Sequence, residues 1–318
     1  MDYVLVTGIT GRSGKWFYNS IIENPEVFIN FNISVVVRNK EKFEAFAQDF
    51  DKIRCYIADI DNQDEIKKVF ALGKITTFFH IAGISHSLDL VNTAVNYGVH
   101  RIILVHTTGI YSKYKAAGQK YREIETEIYK LIEGKEISLT ILRPTMIYGT
   151  LDDQNIIKFI KMIDKFRIFP VVKGGKYALQ PVHHKDLGKA YFKVLINPEK
   201  TKNKDYVLSG GTVIDLVDIL KNISKFLNKK TRFFSTSFQL AYFLAVVVYV
   251  ITITKIDYRE KVQRLVEPRA YSHEEATKDF GYNPIDFLDG LKEEVDLYLY
   301  SKNNKVITNS QINKGNNL

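Results

Sequence analysis

Eight residues near the amino end, Thr7-Gly8-Ile9-Thr10-Gly11-Arg12-Ser13-Gly14, have the types and spacing that hold a pyrophosphate. Phosphate oxygens need donors they can approach closely. Backbone N–H groups supply them where no Cβ intervenes, which is what Gly8, Gly11 and Gly14 provide. The apolar run Tyr3–Thr7 reads as a strand entering this loop. Ser13–Asn24 reads as the helix leaving it, stopped at Pro25. The amino end of that helix adds free N–H groups and a positive dipole. Strand, glycine triplet and helix together meet the context that a dinucleotide-binding loop requires, with Thr10, Arg12 and Ser13 contributing beside the glycines. A second strand, Ile33–Arg38, ends on Arg38 and Asn39. An acid at that place would accept hydrogen bonds from the ribose 2′-hydroxyl of NAD. The sequence has none there. Arg38, joined by Arg12, suits a 2′-phosphate, so NADP(H) is favoured over NAD(H).

Further short apolar runs place the elements that must carry this loop. Ile53–Ile57, Thr76–Ile81, Arg101–His106 and Ser138–Leu142 read as strands, and helices fit around 41–48, 62–71, 87–97 and 116–133. Alternation of this kind signals βαβ units and a parallel sheet. Ser34-Val35-Val36-Val37 and Ile102-Ile103-Leu104-Val105 are apolar on both faces, as strands covered on both sides are. After Tyr148-Gly149 helical stretches dominate, near 153–164, 185–196, 214–227, 239–253, 257–266 and 285–300, with short strands at Tyr206–Leu208 and Thr231–Phe234. The expected fold class is α/β: a Rossmann doubly wound parallel sheet with a smaller, mostly helical C-terminal substrate domain. Residues 1–150 form the NAD(P)-binding domain. Residues 151–300 form a cap over the carboxyl ends of the strands, with 180–197 returning to the first domain. The Asn- and Lys-rich tail 301–318 is expected to be disordered.

Composition limits the partners. The 318 residues carry 45 basic and 36 acidic side chains, a net charge of +9, scattered rather than clustered. The excess suits an anionic ligand or an anionic membrane surface. Zinc-finger spacing and RNA-binding signatures are missing, so nucleic acid is not an expected partner. His183-His184 lacks further ligands at a suitable spacing, so no metal site is expected. The single Cys55 rules out an intramolecular disulfide, suits a reducing compartment, and sits in an apolar run as a buried, inert thiol. No signal peptide is read, which points to the cytoplasm. One segment complicates that picture. Phe233 to Thr254 carries no charge, and Leu240 to Ile251 is unbrokenly apolar. It is shorter than the ~20 residues that span a bilayer. It reads as a helix packed on protein, with peripheral contact of 238–254 with the inner face of a membrane as the alternative.

Several motifs now stand in order along the chain: the loop at 7–14, Asp59-Ile60, His80-Ile81-Ala82-Gly83, Gly98-Val99-His100-Arg101 before the strand to Thr108, Leu142-Arg143-Pro144 with Tyr148-Gly149, Gln180-Pro181-Val182-His183-His184-Lys185-Asp186, and Gly281-Tyr282-Asn283-Pro284. In this order they resemble the short-chain dehydrogenase/reductase superfamily in its extended or atypical branch, from Asp2 to about Tyr300. The resemblance implies that Asp59 and Ile60 contact adenine, that His80, Ala82 and Gly83 lie beside the cofactor, and that Pro144 lies near the nicotinamide. It also implies hydride transfer at a carbonyl or alcohol. In that chemistry a Tyr hydroxyl acts as acid/base, a Lys four residues later lowers its pKa, and a Ser/Thr orients the substrate oxygen. Thr107 and Thr108 stand at the Ser/Thr position, and Tyr121 follows at a spacing the family uses. Four residues past Tyr121 is Glu125, not Lys. A carboxylate there would raise the phenol's pKa. Tyr111, followed by Lys115, matches a family tyrosine that contacts substrate. Two functions are therefore implied: an NAD(P)-dependent epimerase, reductase or dehydratase acting on a nucleotide sugar, or a non-catalytic NADP(H)-binding sensor or scaffold like the NmrA-like proteins. Homodimer pairing through the helices near 87–97 and 116–133 is also implied.

Overall fold

The computed structural model describes residues 1–47, 52–114, 116–252, 255 and 257–315, with backbone alone at 117 and 305–315. Lys115 and the Ile253-Thr254 end of the 238–254 segment lie outside the described residues. The chain runs β1 (Asp2–Thr7), α1 (Arg12–Ile22), α2 (Val27–Asn30), β2 (Phe31–Val37), α3 (Lys40–Glu44), β3 (Arg54–Ile57), α4 (Gln63–Ala71), β4 (Thr77–His80), α5 (Ser87–Asn96), β5 (Arg101–Val105), α6 (Ala117–Ile132) and β6 (Ser138–Pro144). It continues through β7 (Ile147–Tyr148), α7 (Ile156–Lys165), β8 (Ile168–Val172), β9 (Ala178–Leu179), β10 (Val182–His183), α8 (His184–Ile196), α9 (Pro198–Thr201), β11 (Lys204–Leu208), β12 (Ile214–Asp215), α10 (Leu216–Phe226), β13 (Arg232–Thr236), α11 (Phe238–Ile251), α12 (Arg259–Leu265), α13 (Glu274–Phe280) and α14 (Phe287–Gly315).

Two compact units result. Unit 1 contains 1–145, 184–209 and 271–283. Its seven strands pair in the order β11-β6-β5-β4-β1-β2-β3, and every pairing is parallel. The order reverses between β4 and β1, the switch point where open α/β sheets bind ligands beyond the strand carboxyl ends. The apolar runs explain the burial. All five residues of β5 and all four of β4 are buried. Val91, Ala94, Ile124 and Ile128 from α5 and α6 pack in one core with Phe78, Ile102 and Ile141 of the sheet. Asn62 starts α4 by accepting from the N–H groups of Asp64 and Glu65, the usual work of an N-cap side chain.

Unit 2 contains 146–183, 210–270 and 284–318. Its core joins Ile156, Ile160 and Ile163 of α7, Ile219, Leu220 and Ile223 of α10, and Phe287, Leu291 and Val295 of α14. The α7 and α14 sets recur every 3–4 residues and the α10 set places the adjacent Ile219 and Leu220 one turn before Ile223, each an apolar helix stripe. β13 pairs parallel with β8, so the strand expected at Thr231–Phe234 has a partner that sequence did not reveal.

One expectation needs adjustment, and two features stand beside the expected domain bounds. Cys55 is half-buried rather than buried, because β3 is an edge strand with only β2 beside it. Burial still pushes its thiol pKa up, which keeps it protonated. The backbone of α14 continues helical through Gly315, into the tail that composition assigns to disorder. No Gly or Pro interrupts the chain from Tyr300 to that glycine. Finally, the segment that rejoins the sheet unit after the first crossing is 184–209, and a second one, 271–283, brings Gly281-Tyr282 with it.

Candidate functional site

The loop after β1 is shaped by what glycine lacks. Gly8 has φ +84°, and a Cβ there would stand 2.7 Å from the backbone N of Ala82. A Cβ on Gly14 would stand 2.2 Å from the carbonyl oxygen of Gly8 and 2.7 Å from that of Ile9. The loop thus lies flat on the chain after β4 on one side and on α1 on the other. Gly11 N donates to Gly8 O at 3.0 Å, closing the turn. Gly11 is the N-cap of α1, no side chain caps the helix, and its first turn contains no acid. The first-turn N–H groups are therefore offered to an external anion, with the helix dipole behind them. Gly188 of α8 fixes the direction of α1. A Cβ there would stand 2.4 Å from Trp16 Cβ, so the two helices touch backbone to backbone.

His80 ties this loop to the end of β4. Its Nε2 lies 2.9 Å from the carbonyl oxygen of Gly83 and its Nδ1 lies 2.7 Å from Thr7 Oγ1. A carbonyl only accepts, so Nε2 carries the proton and Nδ1 accepts from the Thr7 hydroxyl. Burial pushes the His80 pKa down to about 4, so the ring is neutral at physiological pH. Both ring nitrogens are engaged within the two strand ends. His80 therefore acts on this site by positioning Thr7 and Gly83. Ala82 is exposed next to it, and Gly83 has φ +113° with open space around its α-carbon. Arg38 is exposed one residue past β2, and Arg12 stands at the first position of α1. Asp59 closes its own turn: its Oδ1 accepts from Asp61 N at 3.1 Å, while Glu65 accepts from Asp59 N at 2.8 Å. Ile60 packs on the sheet core.

A second cluster gathers at the ends of β5 and β6. Thr107 Oγ1 accepts from Gly109 N at 3.0 Å and starts a 3-10 turn over Thr108–Tyr111. Thr108 Oγ1 donates to the carbonyl oxygen of Pro144 at 3.2 Å. Arg122 holds that turn by donating to Ile110 O at 2.8 Å. Tyr111 is half exposed, with its ring 5.6 Å from that of Tyr271 and the Arg143 guanidinium 6.0 Å from its centre. The structure thus brings Thr107, Thr108, Tyr111 and Pro144 together. Tyr121, half-buried on α6, packs its ring against the sheet core.

Glu125 is not presented to that cluster as a stand-in for a lysine. Its carboxylate is buried and accepts from His106 Nδ1 at 2.7 Å and from Arg143 Nη1. Arg143 reaches onward from Nη2 to Asp205 at 2.6 Å, and Asp205 accepts from the Tyr129 hydroxyl at 3.2 Å. His106 Nε2 meets Ser87 Oγ at 3.0 Å. Burial, the largest influence on Glu125, pushes its pKa up. The hydrogen bonds from His106 and Arg143 and the charge of Arg143 outweigh it, leaving a carboxylate held below its ordinary range. Burial pulls His106 down despite Glu125, so it is a neutral donor through Nδ1. Sequence reasoning missed this chain of partners. The signal was present: Arg143 and His106 each follow an apolar run, Ile141-Leu142 and Ile102-Ile103-Leu104-Val105, near the end of a strand, where a buried polar group must find a partner.

In unit 2, Tyr148-Gly149 leads to another buried acid. Gly149 N donates to Glu294 Oε2 at 3.0 Å. Burial first, then the hydrogen bond to and charge of Asp153, push Glu294 up to about 10. It is a protonated acid, invisible to sequence reading because its partner Gly149 lies 145 residues away.

Residues 8–167 match the model of a family described as NAD(P)H-binding. No curated protein matches the chain. Among solved structures, UDP-glucose 4-epimerase of Thermotoga maritima with UDP-glucose aligns with a TM-score of 0.68 at 18% identity, over 94% of this chain and 99% of the other. UDP-glucuronic acid 4-epimerase of Bacillus cereus with UDP-glucuronic acid and NAD aligns at 0.69 and 15%, over 92% and 98%. UDP-glucose 4-epimerase of Thermus thermophilus with NAD aligns at 0.66 and 14%, over 92% and 98%. At these identities the likeness is one of fold. A glycine loop that leaves room only for backbone, a parallel sheet with its switch point beside that loop, and the family match agree: the chain belongs to the NAD(P)H-binding family of the short-chain dehydrogenase/reductase superfamily, with the fold of its NAD-dependent epimerase/dehydratase-like branch.

Proposed function

We propose that this protein is an NADP(H)-dependent oxidoreductase, epimerase or dehydratase acting on a nucleotide sugar at a carbonyl or alcohol carbon. The observation that carries the reading is the loop of Gly8, Gly11 and Gly14, where added Cβ atoms would meet the backbone of Ala82 or of the turn itself, so that a tight turn delivers the chain to the uncapped amino end of α1. The bound cofactor supplies a hydride donor or acceptor. Gly8, Thr10, Gly11, Arg12, Ser13 and Gly14 hold its pyrophosphate, and Arg38 with Arg12 holds a 2′-phosphate. Asp59 and Ile60 border the adenine. Ala82, Gly83 and Pro144 border the cofactor farther along, and His80 fixes the loop from behind. Thr107 or Thr108 orients the substrate oxygen, Tyr121 passes the proton, and Tyr111 contacts the substrate. The nucleotide-sugar class draws support from the fold shared with enzymes solved with UDP-glucose or UDP-glucuronic acid.

A second reading, a non-catalytic NADP(H)-binding sensor or scaffold, is favoured by one observation. The residue four past Tyr121 is a buried carboxylate neutralised by Arg143, so no cation from that position can lower a phenol pKa. Turnover of NADPH with a panel of 4-keto nucleotide sugars, wild type against Tyr121→Phe, separates the two. The enzyme reading expects turnover that falls at least ~100-fold in the variant. NADPH binding without any turnover sinks it in favour of the sensor, and equal rates remove Tyr121 from the mechanism.

A third reading, peripheral membrane contact through 238–254, combines with either of these. In that span α11 is apolar all round, with Phe243, Val250 and Ile251 between 61% and 73% exposed. At 14 residues the helix is about 21 Å long. Among the described residues no helix is long and apolar enough to cross a membrane.

A further inference from the structure

Unit 2 contains a cavity of about 570 Å³ bounded by α7, β8, α10 and α11, within the roughly 300–1,000 Å³ of small-molecule sites. Its inner wall includes the buried side chains of Val171, Leu216 and Leu220. Its rim is formed by Met162, Phe166, Ile168, Leu240 and Leu244, each 42–62% exposed. Thr236 brings the only hydroxyl among the described lining residues, and none of them is charged. A sugar, nucleotide or peptide placed here would bury polar groups without partners, which is unfavourable. Hydrocarbon loses nothing, and each methylene removed from water is favourable.

The surroundings of the cavity indicate where such hydrocarbon comes from. A helix apolar on all sides normally lies inside a protein or in lipid. In α11 only Ala245 is buried. Leu240, Ala241 and Leu244 of this helix line the cavity, while Phe243, Val250 and Ile251 are among its exposed side chains. Across 225–267, which brackets the helix, eight basic side chains stand against three acidic ones. An apolar helix bracketed by cations matches the face of an anionic bilayer.

We propose that the cavity is a hydrocarbon-chain site that takes one acyl or isoprenoid chain of a lipid in the anionic bilayer on which α11 rests. The chain enters between Leu240 and Leu244 and lies along Val171 and Leu220. A membrane lipid, or a substrate carried on a lipid anchor, is thereby held by its tail in unit 2. The inference rests on the proposed membrane contact for the source of the chain, and on neither the cofactor nor catalysis.

The test uses the full-length protein with phosphatidylglycerol vesicles that contain a trace of phosphatidylglycerol bearing a diazirine on one acyl chain. After illumination, labelled peptides are mapped by mass spectrometry. Labels are expected on 168–172 and 216–220. Ala241→Trp, whose indole fills the space, should lower labelling there at least tenfold while vesicle binding persists. If circular dichroism finds that variant unfolded, Leu244→Trp takes its place. Phe243→Glu/Ile251→Glu should lose vesicle binding yet be labelled like wild type by diazirine-bearing palmitate free in buffer. Labelling confined to the outer residues of α11, unchanged labelling of the filled variant, or loss of palmitate labelling with Phe243→Glu/Ile251→Glu would overturn the proposal. NADPH binding, followed in the same samples by cofactor fluorescence, should be equal in all variants; its absence would count against the cofactor reading and leave the labelling result standing.

Discussion

In unit 1 the loop at 7–14 has glycine at the three places where a Cβ would meet backbone, and it leads into a helix that no side chain caps. In unit 2 the space beneath α11 is walled by side chains, nearly all hydrocarbon. The first site depends on direction, because a dipole and a few N–H vectors must point at one place. The second depends on volume and exclusion of polar groups, since the hydrophobic effect has no direction. The two regions should therefore fail differently. One added methyl group closes the first, whereas the second tolerates exchange among apolar residues of similar volume.

The largest effect is expected from Gly14→Val. Its Cβ would meet the Gly8 carbonyl at 2.2 Å, against backbone that cannot yield cheaply. NADPH affinity should fall by roughly 100-fold or more, equivalent to about 3 kcal/mol. Chain labelling in unit 2 should persist. Retained NADPH affinity would mean that the loop does not hold the cofactor, and loss of both activities would mean that the two sites are not separable.

Next comes the buried ion cluster that supports the β5 and β6 ends. Glu125→Gln leaves Arg143 with Asp205, which is partly exposed, as its remaining anionic partner. Because Asp205 still compensates part of the charge, the loss should lie at the low end, about 3 kcal/mol, of what breaking a buried ion pair costs. Adding Arg143→Met should restore part of that loss in urea unfolding, because the buried cation that has lost its buried partner is gone. Additive losses would show that the pair is not coupled. The carboxylate pKa is depressed in the folded protein, so its contribution is present above the ordinary carboxylate range and disappears as pH falls through the folded value. The Glu125→Gln variant should lose that acid-side dependence.

Glu294 provides the opposite sign. Its folded pKa, pushed up to about 10, lies above the ordinary glutamate value of 4.5. Below about 4.5 both states are protonated. As pH rises from there the unfolded chain ionises first, so stability drains away toward the folded pKa. Glu294→Gln keeps an oxygen for Gly149 N and cannot ionise. Its advantage over wild type should grow from near zero at acid pH to on the order of 2–4 kcal/mol by about pH 8. Thermal midpoints across that range check it. A constant gap would mean that Glu294 ionises in the fold.

The contrast between the units also explains what sequence made visible. Gly8, Gly11 and Gly14 were legible because a glycine triplet between strand and helix is a local pattern with one dominant physical use. The βαβ order was legible because β4 and β5 are short, wholly buried runs dominated by apolar residues. Glu125 was misleading in isolation. Its spacing from Tyr121 suggested a lost lysine, whereas its partners His106 and Arg143 lie 19 and 18 residues away, at the ends of neighbouring strands. The unit 2 cavity was illegible for the same reason. Its wall joins 159–172, 216–220 and 236–265, and only the last announced itself, as an apolar run too short to span a bilayer. His80 stood between these cases. Its place at the end of β4 was readable, but its hold on Thr7 depended on a pairing between strands 73 residues apart.

The smallest expected effect concerns which cofactor the bare loop prefers. Arg38 lies exposed just past β2, and no acid stands there to receive a 2′-hydroxyl. Its contribution is a solvated charge acting on one phosphate, so it should be worth about a tenfold preference, or ~1.4 kcal/mol. Arg38→Asp should lower NADPH affinity and raise NADH affinity, shifting their ratio by tenfold or more in fluorescence titrations. The shift should shrink as salt is added, because exposed charges are screened over about 8–10 Å near physiological ionic strength. An unchanged ratio would assign the 2′-phosphate to Arg12 or leave the site without a preference. A salt-independent shift would mean that Arg38 is desolvated when cofactor binds, making this corner of unit 1 more enclosed than its exposed side chain suggests.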